Sequence, residues 1–207
     1  MSDSGVLIVI SGPSGVGKGT VISRLFEMDE NCCFSVSATT RPPRPGEQDG
    51  VHYHFIDRDK FGEMVRRGEM LEYDEHFGNL YGTPKKYVEQ QLANGRSVVL
   101  DIEYKGMRQV KKLMPEMVSV LVLPPSVGEL ERRLRDRATE DEKSISDRLA
   151  RFRTEIEVIS EYDYIVVNDD VDSAAAKIKA ILTAAGCRPC AMGKVVSELL
   201  KEEIKDA

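Results

Sequence analysis

Gly12-Pro13-Ser14-Gly15-Val16-Gly17-Lys18-Gly19-Thr20 is the stretch of this chain whose residue types most directly imply chemistry. Glycines let a backbone wrap close to phosphate oxygens at φ values a side chain would obstruct, and a lysine among them supplies a mobile charge for the outer phosphates. The apolar run Val6-Leu7-Ile8-Val9-Ile10 before it reads as a buried strand, and Val21, Ile22, Leu25 and Phe26 after it recur at helical spacing. A strand, a glycine-rich turn and a helix N-terminus together aim free N–H groups and a positive dipole end at an anion. A βα turn that binds nothing fits that context poorly. A bound nucleoside triphosphate is the expectation.

The second reactive grouping is Arg41-Pro42-Pro43-Arg44-Pro45-Gly46-Glu47. Two arginines on a proline-stiffened turn can present planar donor forks to one phosphate without losing much conformational freedom. Asp101 closes the apolar run Ser97 to Ile102, where a carboxylate near magnesium or a helix cap would each be at home. The cysteines fall as adjacent Cys32-Cys33 and as Cys187-x-x-Cys190. Adjacent ligands suit one tetrahedral zinc poorly, so reduced, incidental thiols are expected.

The elements that must position these groups are legible in outline. Val6 to Ile10, Ser97 to Ile102, Val118 to Leu123 and Tyr164 to Val167 are continuous apolar runs separated by helical patterns, which predicts a parallel sheet covered on both faces. Thr83-Pro84 opens a helix closed by Asn94-Gly95, and Ser126-Val127-Gly128-Glu129 is a capping-box pattern. Two stretches break the α/β rhythm. Between Ser35 and Tyr81 short alternating strands such as Val51 to Phe55, a helix around Phe61, Met64 and Val65, and a hairpin at Gly78-Asn79 predict a small, mostly antiparallel insertion. Between Pro125 and Ser160 mixed charges predict a solvated helical face.

Composition narrows the classes. The 207 residues suffice for one sizeable core, and a net charge of −6 argues against a broad nucleic-acid surface, leaving phosphate recognition local. No apolar stretch approaches the ~20 residues that span a bilayer. Met1-Ser2-Asp3-Ser4-Gly5 lacks a basic-then-apolar signal, so no membrane association and a cytoplasmic location are expected.

Gly19 stands where a magnesium-ligating Ser or Thr usually follows the lysine, with Thr20 one place later. This ending resembles nucleoside monophosphate kinases, where magnesium is held largely through water. More specifically the chain resembles the guanylate kinase family, from about Val6 to about Ala185. The likeness rests on the glycine loop, Ser37 through Glu47, Glu69-Met70-Leu71-Glu72-Tyr73, Asn79-Leu80-Tyr81-Gly82-Thr83, Asp101-Ile102-Glu103 and Val167-Asn168-Asp169.

The resemblance implies an α/β fold with a phosphate-loop core (5–36, 84–124 and 161–186), a GMP-binding insertion (37–83), a helical lid (125–160) and a C-terminal extension (187–207). It implies ATP and GMP or dGMP as substrates, with Mg2+ held through water and nucleotide phosphates near Thr20 and Asp101. ATP falls to Gly12 through Thr20 with Arg133 and Arg137. The GMP phosphate falls to Arg41, Arg44, Tyr53 and Tyr81, and the guanine to Ser37, Glu72, Thr83 and Glu103, with Glu47 and Asp101 in the same site. Lys18, Arg41, Arg44, Arg137 and Arg148 carry the transfer. Glu103 replaces the family's usual aspartate, and Ala138 the glycine usual after the second lid arginine.

Guanine offers two donors on one edge, N1–H and the exocyclic amine, and Glu72 can accept both; adenine would present a lone pair to a buried carboxylate. Two rivals stand beside this reading. A ribose bisphosphate kinase would have no use for a guanine pocket, and a phosphopeptide-binding module derived from this fold would typically lose Gly12, Gly17 and Lys18. In the tail, Val195, Val196, Leu199, Leu200 and Ile204 recur at helical spacing. Packing on the core, a homo-oligomer interface and contact with another protein all remain open for it.

Overall fold

The computed structural model describes residues 5–76, 78–136 and 142–203. In chain order its elements begin with β1 (Leu7–Ser11), α1 (Lys18–Met28), β2 (Cys32–Phe34), β3 (Ala38–Thr39), β4 (His54–Phe55) and α2 (Arg58–Arg66). There follow β5 (Met70–His76), β6 (Asn79–Pro84), α3 (Lys85–Ala93), β7 (Ser97–Asp101), α4 (Tyr104–Leu113) and β8 (Val118–Leu123). The remainder is α5 (Val127–Asp136), α6 (Glu142–Glu157), β9 (Tyr164–Val167), α7 (Val171–Ala185) and α8 (Gly193–Glu203).

Five strands form one sheet in the order β2-β7-β1-β8-β9, all parallel. Successive side chains of a strand leave on opposite faces, so a strand covered on both sides must be apolar at every position. β1 obeys this. Ile8 and Ile10 pack with Val99, Val120 and Val122 under α1 and α7, where Leu25 and Ile178 are fully buried. Leu7 and Val9 pack on the other face with Val98 and Leu100 under α3 and α4, through Val88, Met107 and Val110. The predicted runs at 118–123 and 164–167 coincide with β8 and β9. β2 was not foreseen, because Cys-Cys-Phe is too short a run to show a period.

A second, four-stranded sheet has the order β4-β3-β6-β5. β3–β6 and β5–β6 are antiparallel while β3–β4 is parallel, so the sheet is mixed. The alternation over Val51 to Phe55 overstates the strand, which is confined to His54 and Phe55 with an isolated bridge between Asp49 and Tyr53. The expected helix and hairpin are α2 and β5–β6, and Gly78 turns the hairpin at φ 77°. This sheet has its own small core of Ala38, Phe61 and Met70. Leu71 instead points into the main core, so alternation along β5 sends Glu72 to the other side.

α5 and α6 pack on each other through Leu130, Leu134 and Ile145. Their outer faces carry ion pairs, Arg132 with Glu129 and Asp136, and Arg135 with Glu131 and Glu142, as the mixed-charge pattern predicts. Only half of the capping box forms. The Ser126 hydroxyl accepts the Glu129 N–H at 3.1 Å, but the Glu129 carboxylate turns to Arg132 and Arg133. α8 carries the tail's helical period as far as Glu203 and leaves Val196, Leu199 and Leu200 exposed; Ile204 lies outside the described residues. Among the described residues no helix is long and apolar enough to cross a membrane.

Candidate active site

β1 delivers the chain into the glycine loop, and α1 begins at Lys18. Gly17 is the N-cap, at φ 92°, with no capping side chain, and the first turn holds no acidic residue. The leading N–H groups of α1 therefore keep their capacity for an external anion. A Cβ on Gly17 would stand 2.7 Å from Nδ2 of Asn168, the amide that donates to the Val16 carbonyl at 2.7 Å. Asn168, one residue past β9, thus fastens the loop from beneath. Lys18 is part-buried; its ammonium donates to the Gly12 carbonyl at 2.5 Å and lies 3.9 Å from Asp101 Oδ1.

A cavity of about 470 Å³ opens beside this loop, a size that suits a small polar ligand. One wall is the loop, through Gly12, Pro13, Ser14 and Lys18; the opposite wall is the small sheet and its approach, through Ser37, Arg41, Arg44, Tyr53, Glu72 and Tyr81. Asp101 and Glu103 enter from the carboxyl end of β7, where a parallel sheet offers its binding crevice. Asp101 is not the cap of α4. That place belongs to Glu103, whose side chain makes no cap bond. Loss of surrounding water pushes the Asp101 carboxyl upward, partly offset by Lys18 and reinforced by Glu103, while a third of the side chain stays open to the cleft.

Glu72 is the buried polar centre of this wall, 6% exposed. Thr83, opposite it on β6, donates its hydroxyl to Oε1 at 2.6 Å. Burial pushes the Glu72 carboxyl up to about 7, against the pull of the Thr83 bonds and with added repulsion from Asp74. Its second oxygen faces Gly106 on α4, where a Cβ would come within 2.7 Å of Oε2. Gly106 is thus a close-approach glycine that keeps this face of the carboxylate clear.

On the arginine turn, Arg41 grips Glu47 with both ends of its fork at 2.9 Å, and the Arg44 N–H donates to the same carboxylate at 2.7 Å. These bonds hold the Glu47 carboxyl down to about 2. Glu47, expected in the GMP site, is not among the residues that line the cavity; its carboxylate is taken up by Arg41 and the Arg44 N–H. Arg41 is also stacked over the Tyr53 and Phe55 rings at 5.5 and 5.8 Å, and Tyr53 meets Tyr81 edge-on at 5.9 Å.

Arg148 reaches from α6 to the Ser14 hydroxyl, and Phe152 and Glu155 of the same helix complete the cavity rim. Arg133 on α5 spends its donors on the carbonyls of Val16 and Asn168 and on Glu129. It braces the loop rather than lining the cavity. Arg137 lies outside the described residues. Gly15, Val16, Gly17, Gly19 and Thr20 form the loop and the first turn behind the cavity wall, with Thr20 exposed.

Sequence reasoning missed Asp74, His76, Gly106 and Gln109. Period-two alternation from Glu72 could have flagged Asp74 and His76, which share its face and line the cavity. Gln109 of α4 gives no such signal. Its amide donates to the Tyr73 carbonyl at 2.8 Å and accepts the Tyr73 N–H at 3.2 Å, fixing the outer edge of β5 to the core. Among the described residues no group of three or more His, Cys, Asp or Glu side chains is placed to hold a metal ion.

The model of one family, described as guanylate kinase, matches residues 4–185 of the chain. A guanylate kinase of Lactococcus lactis subsp. lactis is 52% identical over 184 residues, covering 89% of this chain and 90% of the relative. One from Desulfitobacterium hafniense is 49% identical, covering 89% and 92%. The crystal structure of guanylate kinase from Anaplasma phagocytophilum superposes with a TM-score of 0.74 at 37% identity, covering 92% of this chain and 90% of that one.

Proposed function

The chain belongs to the guanylate kinase family, and we propose roles for its residues in ATP-to-GMP phosphoryl transfer. The activity is that of an ATP:GMP phosphotransferase, giving ADP and GDP. One observation carries the base assignment: a buried carboxylate, Glu72, turned toward a cavity whose other walls are a phosphate loop and an arginine–tyrosine cluster. Guanine's N1–H and amine satisfy both its oxygens alongside Thr83. A ribose phosphate acceptor would leave that carboxylate buried and unmatched. The intact loop with Lys18 speaks against a module that only binds peptides.

In this reading residues 37–83 are the GMP-binding insertion and 125–160 the lid, on a core of 5–36, 84–124 and 161–186. The acceptor phosphate needs no general base, because its second pKa near ~6 leaves it mostly dianionic at neutral pH. The obstacle is repulsion between anions and their alignment. Arg41, pre-aimed by Glu47 and stacked on Tyr53, binds the GMP phosphate with Arg44, Tyr53 and Tyr81. Lys18 leaves the Gly12 carbonyl for the β- and γ-phosphates, and Arg148 closes over Ser14 to exclude water. The donor set, a lone Asp101 carboxylate and the Thr20 hydroxyl, suits magnesium that keeps its waters and rides on the nucleotide phosphates. Bound there, it neutralises charge on the transferring group.

The test is an ATP-coupled phosphotransfer assay over GMP, dGMP, AMP, CMP, UMP and ribose 1,5-bisphosphate. GMP and dGMP are expected to be used and AMP to be a very poor acceptor. Equal turnover of AMP and GMP would overturn the guanine assignment.

A further inference from the structure

Besides Glu155 on the α6 rim, four carboxylates, Glu72, Asp74, Asp101 and Glu103, line a cavity that must admit an anionic nucleotide. Lys18 faces Asp101, and Thr83 satisfies one oxygen of Glu72. The remaining two meet at one imidazole. His76 Nε2 lies 3.6 Å from Asp74 Oδ2 and 3.9 Å from Glu103 Oε2. Asp74 belongs to the same strand, whereas Glu103 belongs to the core, at the start of α4. Asp74 Oδ2 is buried without a hydrogen-bond partner; its other ionic neighbour is Lys105 of α4 at 3.7 Å. From β6 the Tyr81 ring lies against His76 at 6.0 Å between centroids.

We propose that His76 is a positioning residue for guanine recognition, which as the imidazolium ties Glu103 of the core to Asp74 of the small sheet. The inference rests on the reading of this cavity as the GMP site. Two consequences follow from elementary electrostatics. A cation shared by two carboxylates lowers their mutual repulsion and holds the core and the small sheet at one separation, which sets the width of the slot into which the base enters. It also offsets the field that Asp74 exerts on Glu72, so the base-reading carboxylate ionises more readily while His76 is charged. The reach of residue 103 matters. Aspartate at that position would be one methylene shorter, and its carboxylate would stand farther from His76 than the 3.9 Å of Glu103.

The groups against His76 are Asp74 from its own strand, Glu103 from the core and Tyr81 from β6, and Lys105 of α4 meets Asp74 in turn.

The experiment is a double-mutant cycle of His76→Gln and Glu103→Asp, reading kcat and KM for GMP and for ATP at about pH 6 and about pH 8.5. His76→Gln is expected to lower kcat/KM for GMP about five-fold at the acid pH and less than about two-fold at the alkaline one, through KM. KM for ATP stays unchanged. In the Glu103→Asp background the further loss from His76→Gln shrinks below about two-fold at the acid pH, because the partner is out of reach. His76→Lys, a permanent cation, keeps most of the wild-type value at the acid pH. A loss from His76→Gln that is equal at both pH values, or fully additive with Glu103→Asp, would overturn the proposal and reduce His76 to packing. Failure of the wild-type protein itself to use GMP in the same assay would instead overturn the reading of the cavity.

Discussion

The glycine loop and the small sheet face each other across one cavity but offer it different materials. The loop presents backbone: N–H groups at the start of α1, left uncapped by Gly17 and braced from behind by Asn168 and Arg133. The sheet presents side chains, and each is held by another. Thr83 holds Glu72, Glu47 holds Arg41, and Tyr53 and Phe55 support the same guanidinium. Backbone recognises charge and shape without regard to what the phosphate is attached to, while side chains can match a donor pattern on a base. On the proposed reading the loop supplies chemistry and the sheet supplies selection. The contrast predicts that changes at one end leave the other's substrate nearly untouched.

The largest expected effect is at the loop. Lys18→Ala should cut turnover by about three orders of magnitude, because the charge that stabilises the transferring group is lost. GMP affinity, measured by titration without ATP, should change little. A variant retaining more than about a tenth of wild-type kcat would remove Lys18 from this role.

At the sheet, Glu72→Gln should lower kcat/KM for GMP by about 30- to 1000-fold, since an amide satisfies one guanine donor and opposes the other. KM for ATP should hold, and the preference for GMP over AMP should narrow. The same change should stabilise the fold. Keeping a carboxyl that ordinarily titrates near 4.5 at about 7 costs the ionised fold about 3 kcal/mol. The sign follows from linkage: the unfolded chain loses this proton at lower pH than the folded one, so stability falls as pH rises from about 4.5 to 7. Thermal melts at about pH 8 should show Glu72→Gln above wild type, and at about pH 4 the two should converge. A variant less stable at both would show that Glu72 is not a burdened group.

Gly106→Ala tests the space in front of the same carboxylate. A Cβ 2.7 Å from Oε2 forces Glu72 or α4 to move, so kcat/KM for GMP should fall about 10- to 100-fold with ATP unaffected. Equal losses for both substrates would mean that the helix, rather than the pocket, was disturbed. The smallest effect is that of pH on wild type. With Glu72 near 7, kcat/KM for GMP should rise by up to about tenfold per pH unit below that value and then level, because only the ionised carboxylate accepts both donors. Glu72→Gln should keep only the part of that rise that comes from ionisation of the GMP phosphate itself, near ~6.

The same contrast explains what could be read from the residues alone. Recognition by backbone leaves a compact mark, because glycines, a lysine and the flanking strand and helix must be contiguous; the loop at 12–20 was visible for that reason. The five-stranded sheet was nearly as plain, since strands covered on both faces have no polar positions to interrupt them, and only the three-residue β2 escaped. Recognition by side chains spreads over distant segments. Glu72 was singled out by its resemblance to a family pattern, and its neighbours Asp74, His76 and Gly106 were not. Gly106 and Gln109 sit in an ordinary helical stretch and gain their meaning only when α4 is laid against β5. The arginine turn shows the intermediate case: its chemistry was apparent, but the use of Glu47 as a brace for Arg41 required coordinates.

The bond pair between Gln109 and the peptide of Tyr73 has a consequence for how the protein behaves in a crowded solution. β5 is the last strand of the small sheet, and an outermost strand invites another chain to add itself as the next one. At Tyr73 that invitation is answered internally. One amide side chain occupies both the donor and the acceptor that an incoming strand would need. The glutamine that fastens β5 to α4 thereby also closes the strand's outer edge at this point, and a chain without it would leave a pairing edge open beside an exposed tyrosine whenever the small sheet parted from α4.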